Sequence, residues 1–318
     1  MKIIVTGAAG FIGSHLCERL LEEEANIVIG IDAFVNSAER WMKERNINRL
    51  RSHPRFSFYN QNLLTIDWQR VLTGGEVVYH LAGIPGVRAS WGPNFHAYVT
   101  NNIVVTQKLL EACRDHPIHK LIYASTSSVY GEKKGMVAED DTTIPLSPYG
   151  VSKLTGEHLC RVYSENEGVP TVVLRYFTVF GPRQRSDMAF HRFIMQMMES
   201  KPITVFGDGQ QTRDFTYISD CVAATAAVLH ADDAVGQTIN VGGKARASVL
   251  EVIRLIEHLM QQKASLDFLA TSRGEPKHTW ANIAKAERLL NYEPKIDLKT
   301  GLEKEISYVY QLYNGGKQ

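Results

Sequence analysis

The run Gly7-Ala8-Ala9-Gly10-Phe11-Ile12-Gly13 constrains this 318-residue chain more than any other feature. It follows an apolar, β-branched run (Lys2–Val5) and precedes Ser14–Glu24, which sets Leu16, Leu20 and Leu21 on one helical face. A strand that turns through glycines into a helix presents unpaired N–H groups and the positive end of a helix dipole, and together these hold a pyrophosphate. Gly7 suits the tight turn, Gly10 the close approach of phosphate oxygens, and Gly13 the packing of helix on strand. The spacing is GxxGxxG rather than GxGxxG. Asp32 ends the next apolar run, Ile27–Ile31, 25 residues after Gly7. A carboxylate there accepts from adenosine ribose hydroxyls and repels a 2′-phosphate, so NAD is expected over NADP.

Short apolar runs continue at Phe56–Tyr59, Val77–His80, Lys120–Ala124 and Thr171–Arg175, with helical stretches at Tyr98–Cys113 and Tyr149–Glu167. This alternation predicts an α/β fold: a doubly wound parallel sheet of the Rossmann type. After Gly181-Pro182 the rhythm changes. Helices are expected at Ala189–Glu199, Ser219–Leu229, Val249–Met260, Asn282–Leu290 and Lys299–Tyr313, and strands at Ile203–Phe206, Asp214–Ile218 and Thr238–Val241. The expected division is an NAD-binding domain over 1–178, with 214–241 returning to it, and a smaller C-terminal α/β substrate domain over 179–318.

Charge and apolar content exclude several classes of function. The 35 basic and 34 acidic residues leave a net charge of +1, which gives no footprint for nucleic acid. No apolar run approaches the ~18 residues that cross a membrane, and the start carries no signal-peptide pattern. Cys17, Cys113, Cys160 and Cys221 lie far apart, so buried reduced thiols are expected, with no disulfide or metal site. A cytoplasmic protein is expected.

Two further clusters carry chemistry. In Ser147-Pro148-Tyr149-Gly150-Val151-Ser152-Lys153, proline suits a first helical turn, and Tyr149 and Lys153 fall one turn apart. A free tyrosine has a pKa of about 10. A nearby ammonium and a positive nicotinamide would favour its phenolate and make it a base. Alone such an i,i+4 pair is ordinary surface chemistry; beside an NAD site it reads as catalytic. Ile122-Tyr123-Ala124 runs into Ser125-Thr126-Ser127-Ser128-Val129-Tyr130-Gly131, hydroxyls beyond the carboxyl end of a strand, where doubly wound sheets bind ligands.

With these segments, and with HLAG at 80–83, LRYFTVFGPRQR at 174–185 and FGDGQQTRDFTYISD at 206–220, the chain resembles the extended short-chain dehydrogenase/reductase family. The likeness is to its NAD-dependent nucleotide-sugar epimerases and dehydratases, and it covers nearly the whole chain. The resemblance implies that Thr126 is the catalytic hydroxyl, Tyr149 the base and Lys153 its partner. It places the cofactor on Gly7, Gly10, Phe11, Ile12, Gly13, Asp32, Asn62, Leu63, Leu81, Ala82, Gly83, Asn101, Ser125, Tyr149, Lys153 and Tyr176. Asn62 stands where many members have Asp. Members resembling this chain often dimerise through the helices near 98–113 and 149–167, so a homodimer is expected.

The residues after Thr126 separate the branches. Dehydratases of the family carry Asp-Glu there and decarboxylases Ser-Glu; Ser127 and Ser128 cannot do carboxylate proton transfer. That leaves 4-epimerisation of a UDP-sugar through a transient 4-keto intermediate. Residues 181–190 and 84–88 resemble UDP-glucuronate 4-epimerases, which usually have Pro where this chain has Ser186. Interconversion of UDP-glucuronate and UDP-galacturonate is therefore expected. Ser127, Ser128 and Thr178 would cradle the C6 carboxylate, with Arg88 and Arg185 adding charge. Arg213 and Arg192 would meet the diphosphate, and Thr204, Phe206 and Gln211 the uridine. Arg273 and Glu275 would serve ribose and phosphate, with Pro85 and Ala189 completing the pocket. The alternatives are a UDP-glucose or UDP-N-acetylglucosamine 4-epimerase, a UDP-glucuronate decarboxylase, or a non-catalytic NAD-binding scaffold.

Overall fold

The computed structural model describes residues 1–35 and 40–314. Seven parallel strands form the main sheet in the order β10-β6-β5-β4-β1-β2-β3. They are β1 (Lys2–Thr6), β2 (Ile27–Ile31), β3 (Phe56–Tyr59), β4 (Val77–His80), β5 (Lys120–Thr126), β6 (Thr171–Tyr176) and β10 (Thr238–Val241). Successive residues of a strand face opposite sides, and here both sides are apolar. Ile3, Val5, Val77, Tyr79 and Ile122 enter one core, while Ile4, Val78, Leu121 and Tyr123 enter the other.

Helices cover both faces. On the first lie α1 (Phe11–Leu21) and α2 (Arg40–Arg51); on the second lie α3 (Trp68–Leu72), α5 (Val105–Arg114) and α6 (Pro148–Glu167). A short α4 (Phe95–Tyr98) precedes α5, and a π-helical stretch, Val99–Val104, joins the two. The single helix expected over Tyr98–Cys113 is thus three segments. The strand order reverses at β1, which opens a crevice at the carboxyl ends of β1 and β4.

The second half adds β7 (Thr178–Phe180), α7 (Ala189–Met198), β8 (Ile203–Phe206), β9 (Thr212–Tyr217), α8 (Ile218–Ala227), β11 (Ala245–Ser248), α9 (Val249–Met260), β12 (Leu266–Leu269), α10 (Ala284–Leu290) and α11 (Leu298–Asn314). Of the stretch expected to return to the first sheet, β10 does so and α8 packs on α1. β9 does not: it pairs parallel with β7 and antiparallel with β11 in a separate three-stranded sheet. β8 and β12 form a two-stranded sheet.

One core position carries a carboxyl group. On α11, Leu302, Glu305, Ile306, Val309 and Leu312 make the buried stripe. Glu305 Oε2 accepts the Gly181 N–H at 2.9 Å, and Oε1 is buried without a partner among the described residues. Burial pushes its pKa well above the usual carboxylate range, against the smaller pull of that hydrogen bond. A folded-state pKa raised above the unfolded one means stability that is full below about pH 4.5 and declines as pH rises towards the folded value. Glu305→Gln should remove that decline, so its Tm should exceed the parent's at pH 8 and match it near pH 4. A parental Tm gap that does not change with pH would contradict this.

Candidate active site

The glycine turn is shaped by contacts that admit no side chain. Gly7 has φ +72°, and a Cβ there would lie 2.8 Å from the Ala82 nitrogen; on Gly13 it would lie 2.2 Å from the Gly7 oxygen. Gly10 caps α1 in an extended conformation with no side-chain cap, leaving first-turn N–H groups facing the crevice. α1 begins at Phe11, earlier than Ser14, so Gly13 lies inside the helix where it meets the strand. Asp32 Oδ1 accepts the Phe34 N–H (2.8 Å) and pairs with Lys43 (3.2 Å), while Oδ2 is buried with no partner among the described residues. An orphaned carboxylate oxygen at the end of β2 fits a ribose hydroxyl, so the site fits NAD. Asn62 Oδ1 closes a turn on the Leu64 N–H (2.9 Å) and leaves the amide NH₂ as its available donor; Leu63 is buried.

A chain of buried hydrogen bonds ties the crevice walls together. The Ala82 N–H donates to Thr6 Oγ1 (3.2 Å), which meets His80 Nδ1 (2.8 Å). His80 Nε2 meets Thr106 Oγ1 (3.1 Å), and Thr106 donates its proton to the Asn102 carbonyl (2.7 Å). Thr106 must therefore accept from Nε2–H, and Nδ1 must accept from Thr6. Burial, with the Lys153 charge nearby, lowers the His80 pKa to about 3, so the ring stays neutral. Asn102 Oδ1 accepts the Ile84 N–H (2.7 Å), and its NH₂ donates to the Ile84 carbonyl and to Ser152 Oγ, each at 3.0 Å. Ser152 donates to the Tyr149 carbonyl (2.8 Å). The residue that fastens the Leu81–Ile84 loop is thus Asn102, not Asn101, whose NH₂ bonds to Ala97 within its own helix.

Pro148 opens α6, capped by Ser147 Oγ accepting the Gly150 N–H (3.1 Å). A Cβ on Gly150 would fall 2.7 Å from the Ser128 oxygen, so glycine lets the helix start abut the Thr126–Ser128 turn. That contact brings the Thr126 hydroxyl beside the Tyr149 phenol, near enough to act on its pKa. The Thr126 hydroxyl also receives the Ser128 N–H and donates to Ser128 Oγ, both at 3.2 Å. Burial pushes the Tyr149 pKa up, and the Thr126 hydrogen bond and the Arg185 charge pull it back. The expected acidification by Lys153 is not the balance seen here. The Lys153 ammonium stands 4.2 Å from the centroid of the Tyr123 ring and donates no hydrogen bond among the described residues. Burial lowers its pKa to about 8, against the raising influence of Cys160 and Glu157. Its unused donors face the crevice edge, where a nicotinamide ribose would take them. One residue before Thr126, Ser125 hydrogen-bonds to Glu157, and Glu157 is held by Arg175 in a buried bidentate pair (2.7–3.2 Å). Sequence reading passed over that pair.

On the other wall the Ser127 and Thr178 hydroxyls are half-buried and take no protein partner among the described residues. Arg185 pairs with Asp187 through two contacts (2.9 and 3.0 Å) and lies near enough to Tyr149 and Tyr98 to pull both phenols down. Arg88 pairs with Glu275 (2.7 Å) and stacks 4.0 Å from the Phe206 ring centroid. Arg213 reaches the same Glu275 (3.5 Å), and Arg192 feels the charges of Arg88 and Glu275. Three guanidiniums thus gather about one carboxylate, an excess of positive charge suited to a diphosphate. Gln211 donates to the Phe206 carbonyl (2.8 Å), beside half-buried Thr204 on β8. Arg273 is exposed and stacks on Trp91; Ala189 is exposed at the start of α7. The Pro85 carbonyl accepts from Tyr98 (3.1 Å). Tyr176 turns its phenol away into the α8 layer, onto Thr225 (2.9 Å).

Comparison with known proteins agrees with this geometry. The model of the NAD dependent epimerase/dehydratase family matches residues 3–242. A Bacillus subtilis (strain 168) protein described as an uncharacterized UDP-glucose epimerase is 56% identical over 99% of this chain and 100% of its own. The UDP-glucuronate 4-epimerase of Thermodesulfobacterium geofontis is 40% identical over 96% of this chain and 95% of its own. The crystal structure of UDP-glucuronic acid 4-epimerase from Bacillus cereus, in complex with UDP-glucuronic acid and NAD, superposes with a TM-score of 0.97 at 56% identity, covering 98% of this chain and all of that one.

Proposed function

The chain belongs to the NAD-dependent epimerase/dehydratase family, and from that premise we propose that it interconverts UDP-glucuronate and UDP-galacturonate by inverting carbon 4 of the sugar. The observation that carries this is the crevice wall itself. Thr126 stands beside the Tyr149 phenol and helps pull its pKa down, and the positions beside it that would serve elimination hold only the hydroxyls of Ser127 and Ser128. Likeness to the UDP-glucuronic acid complex supports the choice of sugar.

Tyr149, as phenolate, takes the proton of the 4-hydroxyl, with Thr126 bridging phenol and sugar oxygen. NAD, when bound at the Gly7–Gly13 turn and Asp32, supplies a hydride acceptor and donor at carbon 4. Lys153 keeps a positive charge behind the phenol. The 4-keto sugar turns over and Tyr149 returns the proton to the oxygen on the other face. Arg88, Arg192 and Arg213 hold the diphosphate, while Phe206, Thr204 and Gln211 lie at the uridine end. The free hydroxyls of Ser127 and Thr178, with Ser128, receive the C6 carboxylate, and Arg185 adds charge.

A 4-keto uronate is a β-keto acid and loses carbon dioxide when its C5–C6 bond aligns with the carbonyl π system. Neutral hydroxyls that fix the carboxylate keep that bond out of alignment until reduction. The doubly substituted Ser127→Ala/Ser128→Ala protein should therefore release a larger share of UDP-pentose or 4-keto-pentose, read by chromatography. An unchanged product ratio would contradict the cradle.

The function is tested by incubating the purified protein with UDP-glucuronate, without added NAD, and identifying the product. UDP-galacturonate is expected. Turnover of UDP-glucose or UDP-N-acetylglucosamine alone would replace uronate by neutral hexose, released carbon dioxide would mark a decarboxylase, and binding with no turnover would leave a scaffold. The protein acts as a homodimer through α5 and α6, a reading supported by exposed Val104, Val151 and Val162 on and beside those helices. Four buried cysteines without disulfides suit a reducing, cytoplasmic setting. No described helix is long and apolar enough to cross a membrane.

A further inference from the structure

Tyr123 has no place in the chemistry above, yet it touches Lys153 twice. It is fully buried on β5, two positions before Ser125 on the same face of the strand. Its hydroxyl donates to the Lys153 carbonyl at 3.4 Å and lies beside Thr106. Its ring face carries the Lys153 ammonium 4.2 Å from the centroid. The fit depends on Gly156, where a Cβ would fall 2.0 Å from the Tyr123 oxygen. One ring therefore meets the same lysine at its backbone and at its charged end.

We propose that Tyr123 is a positioning residue for the reaction, its ring face holding the Lys153 ammonium charged and aimed at the crevice. This rests on the reading of Tyr149 and Lys153 as the working pair. A buried ammonium that donates no hydrogen bond has lost its water and leans towards the neutral amine. Among the groups around it, Glu157 and Cys160 on α6 favour the charged form, but Glu157 is held by Arg175 and Ser125. His80 on β4, whose ring lies 5.9 Å from that of Tyr123, is neutral. Thr106 and Asn102 bring hydroxyl and amide groups but no charge. The negative face of the tyrosine ring is the neighbour that favours an ammonium without a salt bridge.

The test keeps the shape of the ring and drains its face. Tyr123 is replaced by phenylalanine (Tyr123→Phe), then by mono-, di- and trifluorophenylalanine, in the NAD-loaded protein. Two readouts are followed against pH: kcat with UDP-glucuronate, and the ¹³Cε shift of Lys153 by NMR. Tyr123→Phe should keep the alkaline limb of kcat and the Lys153 midpoint close to the parent. Each fluorine should lower both, by about one pH unit across the series. Limb and midpoint unmoved by fluorination would overturn the proposal, as would a Tyr123→Phe shift as large as that of the trifluoro ring. Should the protein turn over no UDP-sugar at all, the reading of the reaction fails by itself. The Lys153 midpoint still decides the role of the ring.

Discussion

Tyr149→Phe should lower kcat for UDP-glucuronate by about 10³-fold, within the range that a positioned acid–base group contributes. Its KM should stay within a few-fold. The change removes one oxygen and keeps the ring, which packs edge-on against Tyr98 at 6.2 Å between centroids. The phenol touches none of Arg88, Arg192 and Arg213, the arginines proposed to hold the diphosphate, among the described residues. An interaction made as the proton moves is lost in kcat, whereas a binding contact is lost in KM. The acid limb of the parent's pH profile should follow the Tyr149 phenol. Because burial raises that phenol, kcat is expected to climb with pH into the alkaline range, opposed from about pH 8 by the loss of the Lys153 charge. A variant that retains a tenth of parental kcat would remove Tyr149 from the role of base.

The second large effect concerns stability. Glu157 and Arg175 are both buried, with side-chain exposures of 7% each, and are joined at 2.7 Å. Removing either partner leaves an uncompensated charge between sheet and helix, which costs about 3–5 kcal/mol. Glu157→Ala or Arg175→Ala should therefore lower Tm by about 10 °C for a chain of this size. Arg175 also donates to the Glu139 carbonyl (3.1 Å) and covers the Tyr130 ring, so Arg175→Ala should be the more damaging. The double variant Glu157→Leu/Arg175→Met should recover much of the stability, since it removes both charges together. It should not recover full activity, because Ser125 loses its partner one residue from Thr126. Equal melting temperatures for parent and single variants would contradict the account of the pair.

The sheet was legible because each strand is a short β-branched run, and those of its centre are buried on both faces. Ile27–Ile31, Phe56–Tyr59 and Val77–His80 stand where the alternation puts them. What escaped has physical causes. α2 buries only Met42, Asn46, Ile47 and Leu50 among arginines and lysines, so it shows no apolar stripe. β7 is only three residues long, and β11, Ala-Arg-Ala-Ser, has no β-branched residue to mark it. The Asp214–Ile218 run looks like any parallel strand, and only its partners β7 and β11 place it in another sheet. At the site, residue types point to Thr126, Tyr149, Lys153 and Asp32, because hydroxyl, phenol, amine and carboxylate stand at fixed offsets from a turn. The residues that support them were silent in the sequence. His80, Asn102, Tyr123 and the Glu157–Arg175 pair act through partners up to 74 positions away, and only folding brings these together.

The central claim is that hydrogen leaves carbon 4 of the sugar and returns to the same carbon without reaching water. UDP-glucuronate deuterated at carbon 4 tests it most directly, incubated with the protein in ordinary water and followed by NMR of the product. The account predicts UDP-galacturonate carrying its deuterium at carbon 4 undiminished at early turnover, with none in solvent. Product that has exchanged that deuterium for solvent hydrogen would contradict it.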